Sequence, residues 1–267
     1  MADNKIQKVL HSNGDQGLGL TNDTGGGGYL VSRRRFIEPR AISQVVRYHD
    51  DFIGDVIADE WNVVEGADTS TSNALIVNGI GGQCDLITGD SATLTYAGNG
   101  IQITHGAFYN FKAANGGLRF ETRIKLDAIT LVAFFVGFTD LGTFEAPIES
   151  AASADTITTN ATDAVGFMFD TRMSTDNIWL VGVKNDVDAT KQDSGIAPVA
   201  ATYITLAVEV DSAGAATFYI NGVRVGTKMS AAITTTVALT PTIAATSVEA
   251  ASKTLSVDYI DCEMHRV

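Results

Sequence analysis

Residues 202–228, TYITLAVEVDSAGAATFYINGVRVGTK, decide the fold because they predict three short strands joined by two tight turns. Apolar residues alternate with small or polar ones over residues 206–210, which is the pattern of a strand that buries one face. Gly214 suits the first turn, since glycine adopts positive φ without steric cost. Asn221 and Gly222 form the residue pair typical of a type I′ hairpin. The stretch therefore predicts an antiparallel meander.

Strands are also predicted on both sides of this meander. Residues 118–126, LRFETRIKL, alternate apolar and polar side chains, and residues 131–138, LVAFFVGF, are apolar on both faces, as in the centre of a sheet. The other predicted strands are 74–80, 83–88, 101–105, 163–169, 177–184 and 253–267. About a dozen strands is the usual inventory of a two-sheet jelly roll. The sequence therefore predicts an all-β jelly-roll β-sandwich, with surface loops at residues 140–160 and 185–198.

Charge is unevenly distributed along the chain. The 267 residues have a formal net charge of −13, yet residues 1–50 hold seven basic and five acidic residues. Residues 51–267 hold 11 basic and 26 acidic residues, so a phosphate-binding face is not expected on this part. We predict an extended N-terminal arm at residues 1–49, one domain at residues 50–267, and no nucleic-acid partner.

The predicted arm combines a glycine run with a basic run. Four successive glycines at residues 25–28 indicate a flexible joint, and the Lys-Ser or Lys-Thr pair of a phosphate-binding loop does not follow them. The candidate partner-binding residues are Arg33, Arg34, Arg35 and Arg40, which would anchor the arm to an acidic surface. The alternative is that the arm folds back on its own acidic body.

Signals for export, membrane insertion and disulfide formation are weak. The N-terminus lacks the apolar core of a signal peptide, and no run of about 18 apolar residues predicts a membrane span. Cys84 and Cys262 lack the spacing of a disulfide framework, so we expect two reduced, buried thiols. No membrane partner is predicted.

Several stretches resemble a known family. Residues 50–61, DDFIGDVIADEW, are similar to the opening of a group of tailed-bacteriophage structural proteins that contain a concanavalin A-like domain. The resemblance rests on Asp50, Asp51, Phe52, Gly54, Asp55, Asp59 and Trp61, and continues in FFVGFTD (134–140), AVGFMFD (164–170), FYINGVRVGT (218–227) and LSVDYI (255–260). The meander likewise resembles the late strands of concanavalin A-like, or laminin-G-like, jelly rolls. The resemblance implies that fold for residues 50–267.

The resemblance also implies a function. It points to a structural virion protein, a capsid decoration or cement protein, made in the host cytoplasm and placed on the capsid surface. The basic arm would bind the major capsid protein, and binding only to the assembled head would stabilise it. A homotrimer is expected, because capsid symmetry axes favour closed oligomers. The alternative is a glycan-binding adhesion module of a phage head or tail fibre, in which exposed aromatic side chains and loops bind the sugar.

Catalysis is not expected from the sequence motifs. Hydrolases of this fold resemble one another in an E-x-D-x-x-E strand motif, which this chain lacks: Glu209 and Asp211 lie two residues apart without a third acid. His11, His49, His105 and His265 occur in unrelated contexts and are expected at the surface or lightly packed. We therefore predict that the chain is not an enzyme and has no catalytic residues, cofactor or metal. An inactive or atypical glycanase remains a third alternative.

Two kinds of ligand site stay open on the sequence. Calcium could be bound by oxygens near strand ends, and the candidates are Asp140, Asp170, Asp176 and Asn177, although acids at strand ends more often cap turns. Sugars could be bound by aromatic platforms, and the available rings are Tyr96, Phe108, Tyr109, Phe111, Trp179 and Tyr203.

Overall fold

The computed structural model describes residues 6–10, 16–20, 45–68, 71–77, 81–93, 95–105, 111–141, 148–150, 156–188 and 191–265. The chain divides into two compact units, with the boundary between Gln44 and Val45. In the first unit, strands β1 (Ile6–Leu10) and β2 (Gln16–Leu20) form an antiparallel hairpin. The second unit is all-β apart from a short helix, α1 (Tyr96–Asn99), and a 3₁₀ turn at Ala113–Asn115.

The strands of the second unit follow one another closely along the chain. The first nine are β3 (Val45–Asp50), β4 (Asn62–Glu65), β5 (Asn73–Ile76), β6 (Cys84–Ile87), β7 (Gly100–Thr104), β8 (Leu118–Leu126), β9 (Val132–Thr139), β10 (Ile148–Ser150) and β11 (Ile157–Thr159). The next nine are β12 (Asp163–Asp170), β13 (Trp179–Lys184), β14 (Val187–Asp188), β15 (Gln192–Asp193), β16 (Ile204–Val210), β17 (Ala216–Ile220), β18 (Val223–Met229), β19 (Thr240–Ser247) and β20 (Thr254–His265).

These strands form two eight-stranded antiparallel sheets and a separate hairpin of β10 and β11. The first sheet has the order β14-β13-β12-β9-β19-β7-β4, and β15 also pairs with β13. The second sheet has the order β18-β17-β16-β8-β20-β6-β5, and β3 also pairs with β20. The predicted meander is β16, β17 and β18, and its hairpin turn has the positive φ angles of a type I′ turn at Asn221 and Gly222.

The main core lies between the two sheets. Phe120 on β8 packs edge-on against Phe138 on β9, with ring centroids 5.7 Å apart, and Phe167 on β12 packs edge-on against Phe218 on β17 at 5.5 Å. Burying each such ring contributes about 1.5–3 kcal/mol to folding. The sheets are therefore joined by aromatic contacts between their inner faces, and the predicted all-β jelly-roll sandwich is confirmed.

A second buried layer lies on the opposite side of the first sheet. The outward side chains of Phe135, Met168, Trp179 and Val181 form a cluster of their own, separate from the main core. Every residue of β9, β12 and β19 is buried. This double burial explains why the sequence of β9 is apolar on both faces.

Several segments differ from the sequence-based expectations, including the short strands β10, β11, β14 and β15 in the predicted surface loops. The strand β19 was not predicted, although it lies between β9 and β7 in the first sheet. The strand β3 pairs with β20, so residues 45–49 lie in the second unit rather than in an arm. Residues 52–61 form bends and turns without a helix. Among the helices that the structure describes, none is long and apolar enough to span a membrane.

Candidate functional site

The two sheets present different outer faces. Outward side chains of the second sheet are mostly polar and partly exposed, whereas those on the central strands of the first sheet are buried. The outer face of an antiparallel sandwich is commonly exposed to water. The first sheet departs from this pattern because its central strands are buried on both sides. We call this outer surface the closed face; its residues are Gln102, Thr104, Ala133, Phe135, Gly137, Ala164, Gly166, Met168, Trp179, Val181, Thr242, Ala244 and Thr246.

One row of side chains crosses the closed face over five adjacent strands. Gln102 on β7 is paired with Ala244 on β19, which in turn is paired with Phe135 on β9. Phe135 is paired with Met168 on β12, and Met168 with Trp179 on β13. Residues directly opposite in neighbouring strands share a face. Adjacent strands lie about 4.8 Å apart, so an amide and an indole stand at the two ends of a row about 19 Å long.

The middle of the closed face is built from small residues. Gly137 on β9 and Gly166 on β12 are paired, and Ala244 lies one row away on β19. A Cβ atom at Gly137 would meet a carbonyl oxygen of the neighbouring strand at 2.2 Å, and one at Gly166 would meet another at 2.1 Å. Only glycine fits at these two positions, and no side chain rises from them. The closed face is therefore low in the row next to the one that runs from Gln102 to Trp179.

The polar atoms at both ends of the row lack partners. In the part of the chain that the structure describes, neither the amide oxygen nor the amide nitrogen of Gln102 makes a hydrogen bond, although the residue is 1% exposed. The indole nitrogen of Trp179, which is 8% exposed, is also unpartnered. A buried polar group left unpaired costs about 1–3 kcal/mol, and native proteins pair nearly all of them. Among the described residues, both ends of the row thus hold buried polar groups whose hydrogen-bonding capacity is unused.

Threonine hydroxyls extend the polar end of the closed face. Thr242 on β19 donates to the hydroxyl of Thr104 on β7 at 3.0 Å, and Thr104 lies 3.2 Å from the hydroxyl of Thr240. All three residues are buried beside the Gln102 row. An amide and hydroxyls at one end and an indole at the other are the group types that bind sugars.

The aromatic end of the closed face is covered by other parts of the chain. Leu141 and Ile157 pack against the cluster that contains Phe135 and Trp179. The hairpin strand β10 also lies beside β9 and β12. A ligand that reached the indole would have to displace this layer.

The outer face of the second sheet, which we call the polar face, is open by comparison. Its central row runs His49, Asp261, Glu121, Ala207 and Tyr219 across β3, β20, β8, β16 and β17. Glu121 and Asp261 are therefore directly opposite each other, an arrangement that is destabilising for two like charges unless each is compensated. A depression of about 510 Å³ lies over Ala207.

Charges on the polar face are mostly compensated by one another. Arg47 pairs with Asp261, and Arg119 pairs with Glu121 while lying 3.7 Å from Glu209. The phenol of Tyr259 donates to Glu121 at 2.7 Å, and burial together with that carboxylate raises the pKa of Tyr259. The polar groups of this face thus have partners within the protein, unlike those at the ends of the closed face.

The sequence-predicted site residues are dispersed. Trp179 is part of the closed face, whereas Tyr203 directly precedes β16 of the second sheet. Its hydroxyl donates to Gln83 at 2.6 Å, and the guanidinium of Arg123 lies 4.2 Å above its ring. Phe111 is buried in the main core. The predicted residues Arg33, Arg34, Arg35, Arg40, Phe108 and Tyr109 lie outside the described residues, as does the side chain of Tyr96.

One histidine differs from expectation. His105 was expected at the surface or lightly packed, but it is 1% exposed and stacks on Trp61 with ring centroids 3.9 Å apart. Its Nδ1 lies 3.1 Å from the carbonyl oxygen of Glu60. Burial lowers the pKa of His105 to about 4, although the Glu60 carbonyl opposes this shift. The ring is therefore neutral near pH 7.

The calcium candidates do not come together. Asp170 is buried and accepts hydrogen bonds from the guanidinium of Arg172, and Asn177 donates to Asp193 at 3.1 Å. Asp140 is half-buried, and burial raises its pKa. Across the described ranges, no group of three or more His, Cys, Asp or Glu residues could hold a metal ion.

Comparison with known proteins supports the fold assignment. No family model and no curated protein matches the chain. LamAcat from Zobellia galactanivorans matches with a TM-score of 0.54 and 11% identity, over 84% of this chain and 99% of that one. The beta-glucanase of Bacillus licheniformis matches with a TM-score of 0.52 and 12% identity, over 83% of this chain and 98% of that one. The Emp47p carbohydrate recognition domain matches with a TM-score of 0.53 and 8% identity, over 84% of this chain and 98% of that one. Identities this low show a shared fold, the concanavalin A-like jelly roll.

These neighbours correct one prediction. Because the chain lacks the E-x-D-x-x-E motif, it was expected not to be an enzyme, and this expectation is wrong. A glycosidic hydrolase and a lichenase also share the fold, with TM-scores of 0.51 and 0.53, so the fold is one that hydrolytic enzymes use. The virion assignment, the capsid partner and the homotrimer are not addressed by these structures and stay predictions.

Proposed function

We propose that this chain is a glycan-binding jelly-roll module and that the closed face is its binding surface. The observation that supports the proposal is the row from Gln102 to Trp179, which has unpartnered polar atoms at both ends. Fold neighbours that act on or recognise carbohydrates make a sugar the natural ligand class to test first. Their low identity supports the fold only, and the ligand is proposed from the residues of the closed face themselves.

The chemistry of the row suits a sugar ring. A glutamine amide offers both a donor and an acceptor, and adjacent sugar hydroxyls offer the complementary pair. The indole of Trp179 supplies an apolar surface and one N–H donor at the other end. The glycines Gly137 and Gly166, in the neighbouring row, leave space for a ring beside Phe135 and Met168. Binding in this way requires the layer containing Leu141 and Ile157 to move aside.

A glycan array with variants of the row tests the proposal. Gln102→Leu removes the amide at nearly constant volume, and Trp179→Phe keeps an aromatic ring but removes the N–H. We expect each to weaken glycan binding by about tenfold, because each deletes a hydrogen bond made in a desolvated site. Gln83→Leu, at the residue just before β6 of the second sheet, is the matched control and should bind as the unsubstituted chain does. Equal binding by Gln102→Leu and Gln83→Leu, or no binding to any glycan, would reject the proposal.

A second candidate function is capsid decoration, which the chain's organisation favours. The chain divides near residue 45 into two units, and the basic residues are enriched in the first 50 residues while the rest is strongly acidic. Under this proposal the arginines at 33–35 and 40 bind the major capsid protein, and the module is a homotrimer at a symmetry axis.

Co-sedimentation with undecorated capsids tests this second candidate. The unsubstituted chain should pellet with the capsids, and a variant with glutamate in place of Arg33, Arg34, Arg35 and Arg40 should be released at lower salt. Light scattering on the unsubstituted chain measures the predicted trimer mass. Pelleting that is equal for both proteins would show that the arginines are not the anchor.

A further inference from the structure

The segment between Phe52 and Trp61 is anchored at both ends by one carboxylate. The Asp50 side chain accepts a hydrogen bond from the backbone N–H of Phe52 at 2.8 Å and from the indole N–H of Trp61 at 2.7 Å. Both aromatic rings are buried, and their centroids are 6.0 Å apart. The tyrosine hydroxyl of Tyr48 donates to the same carboxylate at 3.2 Å. The two ends of the segment are therefore held close together on the core.

The backbone at the start of the segment has an unusual conformation. Phe52 has a φ of 52°, a value that a bulky residue rarely adopts. The turn between β5 and β6 lies directly against it, since a Cβ atom at Gly82 would meet the carbonyl oxygen of Asp51 at 2.0 Å. Strained backbone persists only where the surrounding structure enforces it. The segment thus starts from a fixed position and direction.

Two aliphatic side chains project from this anchored segment into solvent. Ile53 is 73% exposed and Val56 is 80% exposed, which are the highest values among the large hydrophobic residues that the structure describes. Ile57 and Ala58, by contrast, pack partly against the core. A loop held rigidly in place loses little conformational entropy when it binds, so exposed aliphatic side chains on it are suited to a protein interface.

The charges around these side chains define the partner. Residues 50–60 contain five acidic residues, and no lysine or arginine occurs anywhere from 48 to 111. An anionic lipid surface and the acidic domain of a second copy would both be repelled. A protein surface with an apolar pocket bordered by lysine or arginine is complementary to the exposed aliphatic side chains and to the negative charge around them.

We propose that residues 53–60, which we call the docking loop, bind a partner protein that inserts Ile53 and Val56 into an apolar pocket bordered by basic residues. This surface is distinct from the closed face, and it assigns a role to the sequence motif at residues 50–61, which glycan binding leaves unexplained. The acidic side chains Asp55 and Asp59 would set the orientation of the partner and speed its association.

A defined peptide probe tests the docking loop in the full chain. The probe is a synthetic amphipathic peptide of leucine and lysine, and its control is a lysine and serine peptide of equal length and charge. We expect the leucine peptide to bind about tenfold more tightly, because burial of aliphatic surface adds to the charge attraction. The Ile53→Ser, Val56→Ser double variant should lose that preference while still binding both peptides weakly. Val223→Ser, at an exposed valine on β18, is the matched control and should keep the preference for the leucine peptide.

Three outcomes would overturn the proposal. The first is equal affinity for the two peptides, and the second is a preference that survives in the double variant. The third is concentration-dependent dimerisation that the double variant abolishes, since this would make a second copy the occupant. A thermal unfolding curve for each variant confirms that it is folded, and because the loop variants leave the closed face intact, glycan binding should not change in them.

Discussion

The side-chain amide of Gln192 forms two hydrogen bonds with the backbone of Thr227 at the edge of the second sheet, one as donor and one as acceptor. The amide nitrogen donates to the carbonyl oxygen of Thr227 at 3.1 Å, and the backbone N–H of Thr227 donates to the amide oxygen at 2.7 Å. Thr227 lies on β18, the last strand of that sheet. The amide thus occupies backbone groups with which another strand could pair, which is one way to protect an exposed edge.

Gln192→Ala should destabilise the protein and expose this edge. Loss of two hydrogen bonds should lower the free energy of unfolding by about 1–3 kcal/mol. Urea denaturation measures the loss, and light scattering at high concentration should show more aggregation. Gln192→Glu is the control: the carboxylate retains the acceptor but not the donor, so an intermediate effect is expected. An unchanged free energy and unchanged aggregation would show that the edge is protected in another way.

Gln102→Leu should make the protein more stable. The substitution removes two unpartnered polar atoms from a buried position, and we expect the free energy of unfolding to rise by about 1–3 kcal/mol. Chemical denaturation measures this change. Combined with weaker glycan binding, a gain in stability would identify Gln102 as a residue retained for function. Destabilisation by this substitution would instead indicate that the amide has a partner in the folded protein.

His105 should make stability depend on pH in the acidic range. Its pKa is about 4 in the folded state and about 6.5 when unfolded, so the unfolded chain binds the proton first as pH falls. Stability should be constant above pH 6.5 and should decrease between pH 6.5 and 4, by at most about 3 kcal/mol. Urea denaturation across this range measures the slope. In His105→Phe the corresponding part of the slope should disappear, and an unchanged slope would assign the effect to other groups.

The two cysteines should react with thiol reagents only after unfolding. Cys84 and Cys262 are fully buried, and burial raises the pKa of Cys84 to about 12 and that of Cys262 well above its usual range. Cys84 is paired with Val257, five positions before Cys262 along β20, a distance of about 17 Å that no disulfide spans. Labelling should follow the unfolding transition for both thiols, in agreement with the predicted reduced state. Rapid labelling of either thiol in the native protein would contradict the structure.

Strands with a clear alternating pattern could be predicted from the sequence. Residues 118–126 form β8 with the same bounds, because apolar and polar side chains alternate throughout. The strand β19 could not be recognised in this way, since it is rich in threonine and alanine and contains Pro241. Both of its faces are buried, so it shows no alternation, and Pro241 precedes the first residue paired with β7. Tertiary packing overrides local preference there.

The candidate site was less predictable than the fold. Trp179 was among the aromatic residues considered for sugar binding, but its position opposite Met168 depends on strand register. Gln102 was not considered, because a polar residue between two isoleucines is typical of the solvent side of a half-buried strand. Its burial results from a layer over the first sheet, which a strand pattern does not reveal. The glutamine in this otherwise apolar strand, two positions before Thr104, is a weak signal that could have suggested it.

The pairing of β20 has a consequence for the order in which the protein folds. The strand lies between β8 on one side and both β6 and β3 on the other, so Val45 is joined to His265 across 220 residues of sequence. During synthesis, the second sheet remains incomplete until its final strand has left the ribosome. Contacts of such long sequence separation also slow folding, because the entropy of a long loop is lost before the contact forms. A nascent chain should therefore expose the unpaired edges of β3, β6 and β8 until β20 is available.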